Sequence, residues 1–212
     1  MKTLKKEGLL YLIMFTPFVY LFIVWKNLPL KIPMHWNYKG EIDRFGSKEE
    51  LIILIIALPI LTYLIFTFAP KIDPKKKIKA TDRKYIDLKN LIVSLMSMLA
   101  CGLIYMANNE NKSGFILVIM GLFFIVIGNY LKTIKPNYFI GIKTPWTIHN
   151  ELVWEKTHKL ASTLWFVGGI IMILANFTTS TQLAFMVALI VVSIMVIVPM
   201  VYSYITFKNM EA

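Results

Sequence analysis

This sequence predicts an all-α polytopic membrane protein with six transmembrane helices, and three observations carry that prediction. The chain of 212 residues is 57% hydrophobic and only 17% charged, whereas soluble domains are about 45–50% apolar and about 25% charged. The apolar residues gather into runs free of Asp, Glu, Lys and Arg, at 8–25, 51–70, 90–107, 113–131, 160–178 and 179–207. Each run reaches or approaches the ~20 residues needed to cross ~30 Å of hydrocarbon. The positive charges between the runs also alternate. The N-terminus, the second and fourth loops and the tail carry 17 Lys and Arg, against 6 in the other loops. The positive-inside rule then puts both termini and loops two and four in the cytoplasm, and loops one and three outside.

The first run follows Lys2, Lys5 and Lys6. It is longer than the ~7–15 residues of a signal-peptide core, and no small-residue cleavage site follows Trp25, so it reads as a helix that stays in the protein. Residues 1–70 form a two-helix module with an outward loop at 26–50. Residues 71–89 form a basic cytoplasmic loop, and residues 90–212 form a four-helix module with a polar, aromatic-rich loop at 128–162. Pro17, Pro59 and Pro199 fall inside spans and kink them. Gly102, Gly121, Gly128, Gly168 and Gly169 let helices approach closely.

The first loop reads as a short outward hairpin. Pro29 and Pro33 keep the chain extended. Ile32, Met34 and Trp36 alternate with Pro33, His35 and Asn37 as in a strand. Asn37 to Gly40 is a turn, and Glu41 to Phe45 returns. Ser47 and Glu50 have the spacing of a capping box that opens the second helix. His35 and Asp43 face each other across the hairpin, where a hydrogen bond between strands is the expected role. Two residues are too few for a closed metal site.

The charge and the reactive residues exclude several classes. The net charge of +11 is concentrated beside a span, at 71–89. Each lysine there gains roughly 1 kcal/mol near an anionic leaflet, so membrane lipids account for it without nucleic acid. The single Cys101 supports neither a disulfide nor a Cys-based metal site. His35, His149 and His158 are too scattered to share a ligand set. No ionisable residue stands at depth, unlike in pumps, coupled carriers and intramembrane hydrolases. The chain is therefore expected to be no enzyme and to need no cofactor or metal.

The fourth loop is the richest segment. Pro136 ends the fourth helix, and Gly141 permits a tight backbone turn. Thr144 and Pro145 have the form of an N-cap followed by the first helical position. A second start at Asn150 is supported by Glu151 and Glu155. Trp154, His158, Ala161 and Trp165 then form one stripe, with Glu151, Glu155 and Lys159 on a neighbouring face. The segment reads as a cytoplasmic interfacial helix before the fifth span. It reads equally as a docking face for a cytoplasmic partner, built from Gly141, Lys143, Thr144, Pro145, Trp146, Thr147, Glu151, Trp154, His158 and Lys159.

At these residues the chain resembles the bacterial SdpI family, named for the immunity protein against the sporulation-delaying toxin. The resemblance covers about 115–200. It rests on Gly128, Asn129, Asn137, Gly141, Lys143, Thr144, Pro145, Trp146, Thr147, Glu151, Trp154, Lys159, Ala161 and Ser162. The stretch from Leu28 to Lys48 resembles an uncharacterised module that often precedes that family. The resemblance implies a six-span protein that protects a cell from a secreted peptide toxin. It also implies capture of a cytoplasmic repressor of the ArsR class at the membrane. The large outward loop would then meet the toxin, through His35, Trp36, Asn37 and Asp43. A non-enzymatic facilitator for small solutes, or a lipid-associated membrane protein, is the second class these features fit.

Overall fold

The structure is a computed structural model that describes residues 2–74, 79–109, 113–138 and 140–211. The basic cluster of the second loop is therefore seen only at its two ends, because Lys75, Lys76 and Lys77 lie outside the described residues, as do the side chains of Lys2, Lys5 and Lys6.

The chain is mostly helical. α1 (Lys2–Val24) ends in a 3-10 turn (Trp25–Asn27), and a hairpin of β1 (Ile32–Trp36) and β2 (Ile42–Gly46) follows. α2 (Lys48–Ile56) runs through a π turn (Ala57–Leu61) into α3 (Thr62–Ile72). The π turn holds Pro59, and a wider turn of this kind accommodates the missing amide. Next come α4 (Arg83–Ala107), α5 (Phe115–Leu131), the short α6 (Pro145–His149), α7 (Glu151–Thr178) and α8 (Thr181–Glu211).

Among the described residues, five helices are long and apolar enough to cross a membrane: Glu7–Asn27, Lys48–Ile72, Arg83–Ala107, Glu151–Thr178 and Thr181–Met210. The apolar α5 has 17 residues, or about 26 Å at 1.5 Å per residue. The outer surface of the helices is apolar. Leu12, Phe22 and Phe177 are 71%, 85% and 72% exposed. Such patches are out of place on a soluble monomer and suit contact with lipid. The chain is a multi-pass membrane protein.

Two differences from the sequence-based expectation have the same physical cause. Helices outrun the charge-free runs: α4 begins at Arg83, inside the basic segment, and α7 begins at Glu151. The separate interfacial helix expected before the fifth span shrinks to α6, and the rest of that stretch is continuous with α7. Charged side chains on an exposed helix face do not interrupt a helix. Glu151, Glu155, Lys156 and Lys159 are all exposed.

The packing has two halves joined by α4 and α5. α1 and the α2–α3 helix pack on α4. Ile32 of the hairpin is fully buried against Leu51, Ile55, Ala100 and Ile104. α5 packs along α7, and α7 along α8. The α5–α7 seam is built on small residues. A β-carbon at Gly121 would lie 2.7 Å from the Gly169 carbonyl, and one at Gly128 would lie 2.5 Å from the Phe166 amide nitrogen. Backbones this close gain dispersion contacts that any larger residue would forbid.

Two prolines explain two further interhelical bonds. A helical proline leaves the carbonyl four residues back without its donor. For Pro70 that carbonyl belongs to Phe66, and the Tyr85 hydroxyl of α4 donates to it at 2.6 Å. For Pro199 it belongs to Met195, and the Trp165 indole N–H of α7 donates to it at 3.1 Å. Each vacancy in one helix thus becomes a link to its neighbour, as hydrocarbon requires of backbone groups.

Candidate functional site

The two segments singled out by sequence lie at opposite ends of the bundle. At one end the hairpin is organised by Asn37. Its side-chain oxygen accepts from the amides of Lys39 (2.8 Å) and Glu41 (3.1 Å), and its amide donates to the Glu41 carboxylate (3.0 Å). Gly40, at φ +78°, completes the turn in a conformation open chiefly to glycine. His35 Nδ1 pairs with Asp43 Oδ1 at 2.6 Å across the two strands, and both side chains are well exposed. Trp36 directs its indole N–H inward, where it has no partner among the described residues. Ser47 caps α2 by accepting the Glu50 amide. The return half of the expected capping box is replaced, because the Glu50 carboxylate faces Arg44 at 3.5 Å.

The hairpin also reaches the far half of the molecule. A β-carbon at Gly40 would lie 2.7 Å from the Thr181 methyl and 3.3 Å from the Phe185 ring. The turn of the hairpin therefore rests on the first turn of α8.

At the other end, the loop from Lys132 to Asn150 is tied down by its own polar side chains. Asn137, buried, donates to the carbonyls of Lys135 (2.8 Å) and Ile140 (3.1 Å) and accepts the Ile140 amide (2.8 Å). Gly141 sits at φ +121°. A β-carbon there would lie 2.5 Å from His158 Nε2 and 2.9 Å from the Trp154 ring. The Ile142 amide donates to His158 Nε2 at 2.9 Å, while His158 Nδ1 donates to the Trp154 carbonyl at 2.8 Å. These bonds fix a neutral imidazole with its proton on Nδ1. The Trp154 ring stacks on it, with centroids 4.0 Å apart, and its N–H donates to the Ile134 carbonyl at 2.7 Å.

α6 starts as the sequence expects. Thr144 and Thr147 form a capping box with Pro145 in the first turn, and Thr147 Oγ1 also donates to the Ile142 carbonyl at 2.9 Å. Asn150 then caps α7 by accepting the amides of Leu152 and Val153. The Trp146 N–H donates to Ser203 Oγ at 2.8 Å, and its ring lies against Tyr204 and Phe207. The loop is thus pinned to α7 through Trp154 and His158, and to the end of α8 through Trp146.

This geometry divides the expected partner-binding residues. Thr144, Thr147, Trp154 and His158 are buried, and both nitrogens of His158 are spent on backbone groups. Gly141 and Trp146 are half-buried. Lys143, Pro145, Glu151 and Lys159 are exposed, and Lys143 Nζ donates to the Tyr138 carbonyl. No three His, Cys, Asp or Glu side chains gather in a metal-binding group among the described residues. No local pattern nominates Ser203 as the anchor of Trp146, because the two are distant in the chain.

Residues 133–203 match the SdpI/YfhL protein family, and residues 12–63 match a Domain of unknown function (DUF1648). The chain is 26% identical over 209 residues to the "Immunity protein SdpI" of Bacillus subtilis (strain 168), covering 98% of this chain and 99% of that protein. No solved structure matches the chain. The matched segments take in both the hairpin and the pinned loop, so the two ends of the bundle lie in segments similar to the DUF1648 module and to the SdpI/YfhL family.

Proposed function

We propose that this is a membrane immunity protein that protects a bacterium from a secreted antimicrobial peptide. The near end-to-end match to an immunity protein carries this reading. In this reading α5 spans as well, giving six spans, with both termini and the loop from Lys132 to Asn150 in the cytoplasm. The hairpin then faces outward and meets the toxin. Its exposed His35–Asp43 pair supports a recognition role there. Asn37 acts by holding the turn.

Two measurements test this. Thiol labelling of intact cells in a Cys101→Ser background is expected to modify a probe cysteine at Lys39 and to spare one at Lys143. Labelling at Lys143 from outside would reverse the topology. Expression in a sensitive bacterium is expected to raise tolerance of the producer's cognate peptide, and Trp36→Ala or Asp43→Ala to reduce that protection without changing the amount of protein in the membrane. Unchanged killing by every peptide of the producer, with the protein shown present, would remove the immunity reading.

A second role, capture of a cytoplasmic repressor, is favoured by the exposed row of Glu151, Glu155 and Lys159 on α7 and by the exposed Lys143. Charge reversal at Glu155 or Lys159 is expected to abolish pull-down of a neighbouring regulator while leaving the protein level intact.

A further inference from the structure

A hollow of about 250 Å³ opens between the start of α4 and the end of α5, beside the pinned loop. Among the described residues, Lys79, Lys84 and Lys135 line it, with a single carboxylate, Asp82. Asp82 already accepts the Lys84 amide at 3.0 Å as the cap of α4. None of the three lysines forms an ion pair among the described residues, although long side chains of this kind readily find a surface carboxylate. Leu88, Ile134 and Ile140 supply the aliphatic part of its lining.

We propose that this hollow binds a phosphate-ester anion, of the kind carried by an anionic phospholipid headgroup. Three lysines around one hollow, against one carboxylate, give it an excess of positive charge that an anion would neutralise. The positive end of α4 adds to the same field, offset in part by the Asp82 carboxylate that caps it. A water molecule takes about 30 Å³ of liquid, so the space admits a phosphate with its ester substituents. The aliphatic part of the lining suits a molecule that continues into a hydrocarbon tail. The position fits as well: helix ends of a multi-pass protein meet headgroups, and basic pockets between helices are where such groups bind. A soluble phosphate compound shares the same recognition chemistry, so the experiment must separate the two sources.

The test uses the full chain, purified in neutral detergent and followed by thermal unfolding. Short-chain phosphatidylglycerol, short-chain phosphatidylcholine and inorganic phosphate are titrated separately. Phosphatidylglycerol is expected to raise the midpoint saturably, as a ligand of the folded state does. Lys84→Gln with Lys135→Gln is expected to weaken its apparent affinity about 30-fold. Lys31→Gln with Lys39→Gln removes the same charge from the hairpin and is expected to leave the titration unchanged. A response to phosphatidylglycerol without one to inorganic phosphate assigns the site to lipid, and an equal response to inorganic phosphate assigns it to a soluble anion. The proposal is overturned if neither anion shifts the midpoint, if phosphatidylcholine acts as strongly as phosphatidylglycerol, or if the Lys84/Lys135 variant responds like the wild type.

Discussion

Trp154→Ala is expected to remove most of the protein from the membrane. Truncating a buried tryptophan costs about 3–5 kcal/mol, a large share of the ~5–15 kcal/mol that holds a typical domain folded. Here the loss goes beyond volume. The Ile134 carbonyl loses its donor, and the His158 ring loses the face that packs it. Gly141→Ala is expected to damage the same nest from the other side, because its φ of +121° strains any side chain and the added carbon meets His158 Nε2. In both variants membrane level and protection should fall together. Lys159→Glu, on the exposed face, should leave the level unchanged. A quantitative membrane blot beside a protection assay reads the difference. A Trp154→Ala protein at wild-type level and melting temperature would show that this nest does not hold the loop.

The second large effect is expected at Trp165, and it should be reversible by a change elsewhere. Trp165→Phe keeps an aromatic ring against Phe124 but deletes the only side-chain donor that reaches the Met195 carbonyl among the described residues. An unpaired backbone group in hydrocarbon costs several kcal/mol, on the order of a whole helix–helix contact. Pro199→Ala restores an amide four residues beyond Met195, so the helix can satisfy that carbonyl itself. In a double-mutant cycle read by thermal unfolding in detergent, Trp165→Phe should be strongly destabilising alone and much milder with Pro199→Ala. Additive effects of the two substitutions would mean that the indole bond does not compensate for the proline.

The apolar runs made the helical architecture legible, because lipid-facing and core-facing helices both need apolar residues. Local chemistry was legible too. Ser47, Thr144 and Asn150 are caps whose partners lie two or three residues away, and His35 finds Asp43 across one tight turn. Helix ends were less legible, since exposed charges on the first turns of α4 and α7 look like loop in a composition count. The inward side of the Trp154–His158 stripe was also hidden. Spacing shows that these residues share a face but not which way the face looks. Bonds between distant helices left no trace. The vacancies at Phe66 and Met195 follow from the positions of Pro70 and Pro199, but nothing in the sequence nominates Tyr85 or Trp165 to fill them.

The rest of Gly40 on Thr181 and Phe185, and the anchoring of Trp146 to Ser203, have a consequence for biosynthesis. α8 leaves the ribosome after α1 to α7, yet it supplies one half of the closing contact at each end of the bundle. The hairpin emerges early and must wait for almost the entire chain before its turn finds its seat. Contacts so distant in sequence form late, because the intervening chain must be ordered first. A nascent chain stalled before α8 therefore holds its early module unlatched, and quality-control proteases would meet it open at both faces of the membrane.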